Sequence, residues 1–196
     1  MLAAVRDYII GKAANAAARE CGAAQAKFMG RFGIGTAVRR ILAETYGPAA
    51  HDGHRRLGNF PAQCPVVKGY KDRINEIAAA YKAKGISFVG INSNATEDLN
   101  WVKSNKAEFG YNFPVLIDKG NVLADKWGAS VTPEVYYLDA KNVLLYHGAI
   151  DNDRSGKNIT EQYLKTAFDS SLAGKAIAKT RANAFGCTIK KAGENN

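Results

Sequence analysis

The sequence predicts an α/β fold, a mixed sheet packed against helices, from residue 64 onward. Apolar residues at helical spacing alternate in this part of the chain with short runs of β-branched and aromatic residues. Toward the C-terminus, two strand-like runs are separated only by the polar turn at 139–142, which predicts an antiparallel hairpin. Helices and strands in alternation, followed by a hairpin, are typical of a mixed sheet with helices on its faces.

The predicted elements follow from periodicity and from stop signals. The first helix starts at Cys64 and stops at Gly85, because its apolar residues recur at helical spacing. The later elements are a strand at 86–91, a helix at 96–109 capped by Thr96, a strand at 113–117 and a short helix at 122–127. A strand then begins just after Pro133 and ends in the polar turn at 139–142, and it is followed by its hairpin partner at 143–149 and a helix at 159–173.

The sheet needs one more strand immediately before Cys64. The segment 55–60 stands there, with two arginines, a glycine and an asparagine where a central strand requires valine, isoleucine and leucine. We hypothesise a local reading-frame error over this segment.

Composition excludes several classes of protein. The 196 residues suit one domain of ordinary size, and no apolar run is long enough to span a membrane. The net charge is +9, but no element carries the basic and aromatic stripe of a nucleic-acid binder. Three cysteines, at widely separated positions 21, 64 and 187, form neither a disulfide scaffold nor a metal-binding spacing.

Cys64 is the candidate nucleophile, because it lies at the predicted start of a helix. Unpaired N–H groups and the positive end of the helix dipole favour a thiolate at this position. Pro65 directly follows and fits the first helical turn. The alternative interpretation is a buried, inert cysteine.

The chain resembles the thioredoxin-like redoxins, and more narrowly the alkyl hydroperoxide reductase/thiol-specific antioxidant (AhpC/TSA) family. The resemblance extends over roughly residues 62–190, and several motifs occur in the family's order. The matching stretches are CPVVKGY (64–70), FVGINSN (88–94), TPEVYYLD (132–139), GAIDN (148–152) and FGCTIK (185–190).

This resemblance implies a thioredoxin fold of three layers, α/β/α, with a mixed central sheet and a C-terminal antiparallel hairpin. It implies that Cys64 is at the active-site helix, that Pro133 is cis and that Thr132, Pro133 and Pro65 bind substrate. We expect an atypical extension at 1–55, a redoxin domain at 56–190 and a tail at 191–196.

Two residues depart from the family pattern close to Cys64. Val67 stands where a dithiol thioredoxin has its second cysteine, and Pro61 stands where a peroxiredoxin has threonine or serine. A resolving thiol must therefore come from elsewhere. Cys187 could attack an oxidised Cys64 to form a disulfide, or it could be a packing residue of the C-terminal tail.

The predicted function is a thiol-based oxidoreductase or antioxidant that uses Cys64 against a peroxide or a disulfide. The alternative is a redox-inactive thioredoxin-like module that holds a partner strand at the edge formed by Thr132 and Pro133. We expect no cofactor, no metal and no nucleic acid, and as partner an external thiol reductant or a thioredoxin-like protein. Small residues at 23–26 suggest export to the periplasm, but charged residues interrupt the preceding apolar region, so a cytoplasmic location stays open.

Overall fold

The computed structural model describes residues 2–6, 64–139 and 143–193. Within these residues, five strands form one mixed sheet in the order β3-β2-β1-β5-β6, and a separate ribbon pairs β4 with β7. The strands are β1 (Leu2–Arg6), β2 (Ile86–Asn92), β3 (Val115–Ile117), β4 (Val131–Thr132), β5 (Val135–Leu138), β6 (Leu144–Gly148) and β7 (Cys187–Thr188). The α-helices are α1 (Pro65–Lys82), α2 (Leu99–Glu108), α3 (Val122–Trp127) and α4 (Tyr163–Leu172), and a 3-10 turn covers Lys119–Asn121.

The predicted helix after Cys64 is confirmed as α1, and the predicted hairpin as the antiparallel pair β5 and β6. The second helix differs from the prediction at its start. It begins at Leu99 rather than at Thr96, because the Asp98 carboxylate accepts the backbone N–H of Trp101 and so caps the first turn. The predicted strand that begins just after Pro133 is confirmed as β5, and a separate short strand, β4, precedes that proline.

The central position of the sheet is occupied by β1, from the beginning of the chain. This strand pairs antiparallel with β2 and parallel with β5, so it lies between these two strands in the sheet. The segment 55–60, where the sequence requires a strand, lies outside the described residues. The structure therefore completes the sheet with residues that the sequence analysis assigned to an extension.

Alternate residues of the strands pack into two separate hydrophobic clusters. Phe88, Val135 and Tyr137 belong to the larger cluster, which also contains the buried faces of α1 and α4. Val89 and Tyr136 belong to a smaller cluster, together with the buried residues of α3. This alternation is expected of strands whose two faces are both covered. None of the helices in the described residues is long and apolar enough to cross a membrane.

Candidate active site

Cys64 is the N-cap residue of α1. Its backbone is extended, with φ −83° and ψ 109°, and Pro65 opens the helix behind it. The first turn is held in the core by Val66 and Val67, which are 3% and 0% exposed. Because a helix N-terminus leaves backbone N–H groups without intrahelical partners, the amide of Val67 is available to the Cys64 sulfur. Pro65, a predicted substrate-binding residue, is exposed beside it.

The second wall of the site is the segment that joins β4 to β5. The Thr132–Pro133 peptide bond is cis, as the resemblance implies. The Cys64 sulfur donates a hydrogen bond to the Thr132 carbonyl oxygen at 3.6 Å. Thr132 is therefore in direct contact with the candidate nucleophile.

Cys187 reaches the same place from the C-terminal end of the described chain. β7 pairs antiparallel with β4, and this register puts Cys187 opposite Thr132 and Thr188 opposite Val131. The two thiols are close enough for each to influence the pKa of the other, and both are free. The structure thus brings together Cys64, Cys187, Thr132 and Pro133. Cys21, to which the sequence analysis gave no role, lies outside the described residues.

The pKa of Cys64 lies below its ordinary value. Burial is the largest influence and by itself raises the pKa, but four hydrogen bonds together outweigh it. Their donors are the Cys187 thiol, the Val67 amide, the Thr132 side chain and the Cys187 amide. All four stabilise the thiolate more than the thiol, so Cys64 is the member of the pair that ionises first.

The pKa of Cys187 is shifted upward. Burial raises it first, and its hydrogen bond to Cys64 and the negative charge of that thiolate raise it further. The Val66 amide and the positive charge of Arg154 act in the opposite direction without cancelling the shift. Two interacting groups whose pKa values are pushed apart take different chemical roles. Cys187 therefore keeps its proton to a higher pH than Cys64 does.

The hydrogen bonding of the Thr132 hydroxyl group depends on the ionisation of Cys64. Its hydroxyl oxygen is buried and has no hydrogen-bond partner among the described residues while the Cys64 thiol donates to the Thr132 carbonyl. A buried hydroxyl without a partner is costly. Ionisation of Cys64 supplies an acceptor, and the Thr132 side chain then donates to the thiolate and lowers its pKa.

Lys68 contributes little to this environment. Its ammonium group lies 3.9 Å from the Glu108 carboxylate, and its side chain is 66% exposed. Solvent and the carboxylate both screen the ammonium charge. No group of three or more histidine, cysteine, aspartate or glutamate side chains within the described ranges is arranged to hold a metal ion.

The sequence analysis missed the interactions that hold the active-site helix and the C-terminal tail. Asp151 is 3% exposed and accepts hydrogen bonds from Tyr70 at 2.8 Å and Arg73 at 2.7 Å, both of α1. Asn94 binds the tail, because its side-chain oxygen accepts the Lys190 amide at 2.8 Å. The signals were present as an aspartate in GAIDN and an asparagine in GINSN, but neither motif reveals its distant partner.

Residues 57–147 match the family model described as the AhpC/TSA family. The matched residues are a little under half of the chain, and over that part the chain is similar to the AhpC/TSA family. A thioredoxin-like fold agrees with the position of Cys64, which lies at a helix N-terminus and close to a cis proline.

Two curated relatives share part of their sequence with this chain. The chain is 30% identical over 66 residues to the thiol-disulfide oxidoreductase ResA of Bacillus thuringiensis (strain Al Hakam) and to that of Bacillus anthracis. The matched stretch is 34% of this chain and only 37% of the length of each relative. These relatives are thiol-disulfide oxidoreductases by name, and this chain spans little more than a third of their length.

Two solved structures resemble the redoxin over a larger part of their length. One is the hypothetical protein SMc02350 from Sinorhizobium meliloti 1021, with 31% identity, a TM-score of 0.61 and coverage of 70% of this chain and 78% of that one. The other is an uncharacterized conserved protein from Geobacillus kaustophilus, with 31% identity, a TM-score of 0.61 and coverage of 71% and 76%. Both support the thioredoxin-like fold.

Proposed function

We propose that this redoxin is a thiol-based oxidoreductase in which Cys64 attacks a peroxide or a disulfide and Cys187 resolves the product. The main support is geometric: Cys187 lies opposite Thr132 in the pairing of β4 with β7, and the Thr132 carbonyl oxygen accepts a hydrogen bond from the Cys64 thiol at 3.6 Å. The pKa shifts of the two thiols, in opposite directions, agree with this arrangement. A lowered pKa keeps more of Cys64 as thiolate, which is the reactive form. A raised pKa keeps Cys187 protonated until Cys64 has reacted.

With a peroxide, the Cys64 thiolate attacks one oxygen of the O–O bond. The sulfur becomes a sulfenic acid, and the other oxygen leaves and is protonated to an alcohol or water. Cys187 then loses its proton and attacks the Cys64 sulfur, which expels the hydroxyl group as water. The products are a Cys64–Cys187 disulfide and the reduced peroxide.

With a disulfide, the Cys64 thiolate attacks one sulfur and displaces the other as a thiolate, which gives a mixed disulfide. Cys187 next attacks Cys64 and releases the second thiol of the substrate. The substrate disulfide has gained two electrons, and the redoxin has lost two in forming its own disulfide. Two equivalents of an external thiol, or one dithiol, reduce that bond and complete the cycle.

The proposed pairing with Cys187 removes the difficulty raised by Val67 and Pro61. Val67 occupies the position of the usual second cysteine, but its amide contributes to the lowered pKa of Cys64. The Thr132 side chain is a further donor to the thiolate, from the other side of the site. Donors to Cys64 are thus available without a threonine or serine at position 61.

The test is the chemical state of the cysteines after oxidation. The full chain, in a Cys21→Ser background, is reduced and then treated with one equivalent of hydrogen peroxide or of a small disulfide. Mass spectrometry of the intact protein and of its peptides is expected to show the loss of two hydrogen atoms and a Cys64–Cys187 cross-link. Cys187→Ser is expected to stop at a sulfenic acid or a mixed disulfide on Cys64. Unmodified thiols in the reduced chain after either treatment would refute the proposal.

A further inference from the structure

β7 covers the edge that a polypeptide substrate would use to reach Cys64. An extended peptide commonly binds by adding a strand to a free sheet edge. The edge beside Cys64 is β4, and β7 already pairs with it, with Cys187 opposite Thr132. The chain's own tail therefore stands where the cysteine-bearing strand of a partner would lie.

The backbone of the tail lies very close to the backbone at the end of β4. A Cβ atom added at Gly186 would come within 1.8 Å of the Thr132 carbonyl oxygen and 3.2 Å of the Pro133 nitrogen. Both contacts are with backbone, which cannot move aside as a flexible side chain can. Only glycine allows the two backbones to come this close, so Gly186 allows the adjacent Cys187 to lie beside Cys64.

The tail is also anchored after β7. Ile189 is 2% exposed in the smaller hydrophobic cluster, and its amide donates to the Ser130 carbonyl at 3.0 Å. Lys190 pairs with the loop after β2, because its amide binds the Asn94 side chain at 2.8 Å and its carbonyl accepts the Ala95 amide at 2.9 Å. These contacts hold the downstream end of the strand.

The upstream end is held on β6. The His147 amide donates to the Thr180 carbonyl at 3.0 Å, and the His147 carbonyl accepts the Ala182 amide at 3.1 Å. At Gly148, an added Cβ would meet the Ala182 carbonyl oxygen at 1.7 Å, so this contact too is made backbone to backbone. With anchors on both sides, β7 is a fixed part of the site.

We propose that the tail segment 185–190 closes the β4 edge to polypeptides and restricts the site to small oxidants and small thiols. This inference rests on the proposed function and names its substrate class: molecules with a reactive O–O or S–S bond that do not need to pair as a strand. Cys64 is 4% exposed, and Cys187 is half-buried at its side. A small molecule reaches the two sulfurs past Cys187 without moving the tail, whereas a polypeptide disulfide must first displace it.

The experiment compares three oxidants on the reduced full chain in the Cys21→Ser background: hydrogen peroxide, bis(2-hydroxyethyl) disulfide and insulin, whose disulfides lie in a polypeptide. Formation of the Cys64–Cys187 bond is followed by quenched mass spectrometry. We expect at least one small oxidant to react roughly 100-fold faster than insulin, the order of effect that misplacement of reacting groups produces. The faster of the two small oxidants identifies the bond that the site prefers. Equal rates with insulin and the faster small oxidant would overturn the inference.

Gly186→Ala tests the role of the tail directly. The added methyl group pushes β7 away from Thr132, so the rate of Cys64 oxidation by insulin is expected to rise relative to the rate with the small oxidants. Gly69→Ala is the matched control, because a Cβ at this exposed helical position meets nothing within 4 Å, and the rate ratio is expected to stay unchanged. An unchanged ratio in a folded Gly186→Ala variant would overturn the inference.

Ile189→Ala loosens the same strand without a clash and gives an independent second variant. It is expected to raise the same rate ratio, and a folded variant with the wild-type ratio would count against the tail as the barrier. A chain in which no oxidant reacts with Cys64 would instead refute the proposed function. The two failures are therefore distinguishable.

Discussion

The two sides of the Cys64 sulfur are built in different ways. On one side is the first turn of α1, a helix of 18 residues whose buried face is continuous along the sequence. On the other side is the ribbon of β4 and β7, two strands of two residues each that come from distant parts of the chain. The helix determines where the sulfur is, and the ribbon supplies three of the four hydrogen bonds that lower its pKa. The position of the Cys64 sulfur therefore depends on local sequence, whereas its reactivity depends mostly on contacts with distant segments of the chain.

The largest expected effect separates the two cysteines. Cys64→Ser is expected to reduce turnover with the preferred small oxidant by at least about 10³-fold, because the attacking thiolate is lost. Cys187→Ser is expected to retain the first attack but to stop further cycles. Stopped-flow measurement of a single turnover, compared with steady-state turnover, checks both. Equal loss of the first attack in the two variants would contradict the division of roles between helix and ribbon.

The next effect concerns the stability of the ribbon side. Ile189→Ala is expected to lower the free energy of unfolding by about 2–5 kcal/mol, the cost of emptying a buried aliphatic site. Urea denaturation measures this change. The matched control is Ile177→Ala, which makes the same substitution at a half-buried position between α4 and β7 and is expected to cost less. Equal losses of unfolding free energy in the two variants would mean that Ile189 stabilises the fold no more than Ile177 does.

A smaller effect isolates one hydrogen bond of the ribbon. Thr132→Val keeps the shape of the side chain but removes the hydroxyl that donates to the thiolate, so the pKa of Cys64 is expected to rise. The rate of alkylation by iodoacetamide as a function of pH measures the shift. Cys187→Ser is expected to change the pKa of Cys64 by a different amount, because the Cys187 side chain lowers this pKa more than the Thr132 side chain does. An unchanged profile for Thr132→Val would exclude its hydroxyl from the site.

The smallest effect is the pH dependence of stability. The pKa of Cys64 is lower in the folded state than in the unfolded chain, so its stabilising contribution is present above the unfolded value and disappears as pH falls through the folded one. The pKa of Cys187 is raised, so its contribution is present below the unfolded value and disappears as pH rises through the folded one. The two together predict greatest stability near the unfolded thiol pKa, about 8.5.

Urea denaturation between about pH 6 and 10, across the ordinary thiol pKa of about 8.5, checks this dependence. In a Cys64→Ser, Cys187→Ser double variant the maximum is expected to flatten, since neither thiol remains to titrate. A maximum of the same height in the double variant would assign the pH dependence to other groups.

The sequence predicted the helix side of the site well. The apolar spacing from Val67 to Tyr81 specified α1, and Pro65 marked its first turn. Thr132 and Pro133 were recognised through a resemblance rather than through any local pattern. The cap of α2 was wrong by two residues, because Thr96 and Asp98 are both good cap residues and only the backbone geometry distinguishes them.

The central strand and the tail were beyond prediction. A run such as Leu2–Arg6 is too short to reveal its partners, and its position between β2 and β5 depends on pairings with residues far along the chain. Gly186 carries no local signal either, because the requirement for glycine arises only from its closeness to Thr132. Pairing and close approach are properties of two segments, whereas a sequence pattern describes one.

The sequence by itself determined that this chain has a thiol at the start of a buried helix, because helical periodicity and a proline at the first turn are local properties. Only the tertiary structure decided that Cys187 is the neighbour of that thiol and that the tail covers the β4 edge. The reason is physical: the contacts among Cys64, Thr132 and Cys187 join three segments through strand register and backbone packing. Such contacts exist only once the chain has folded.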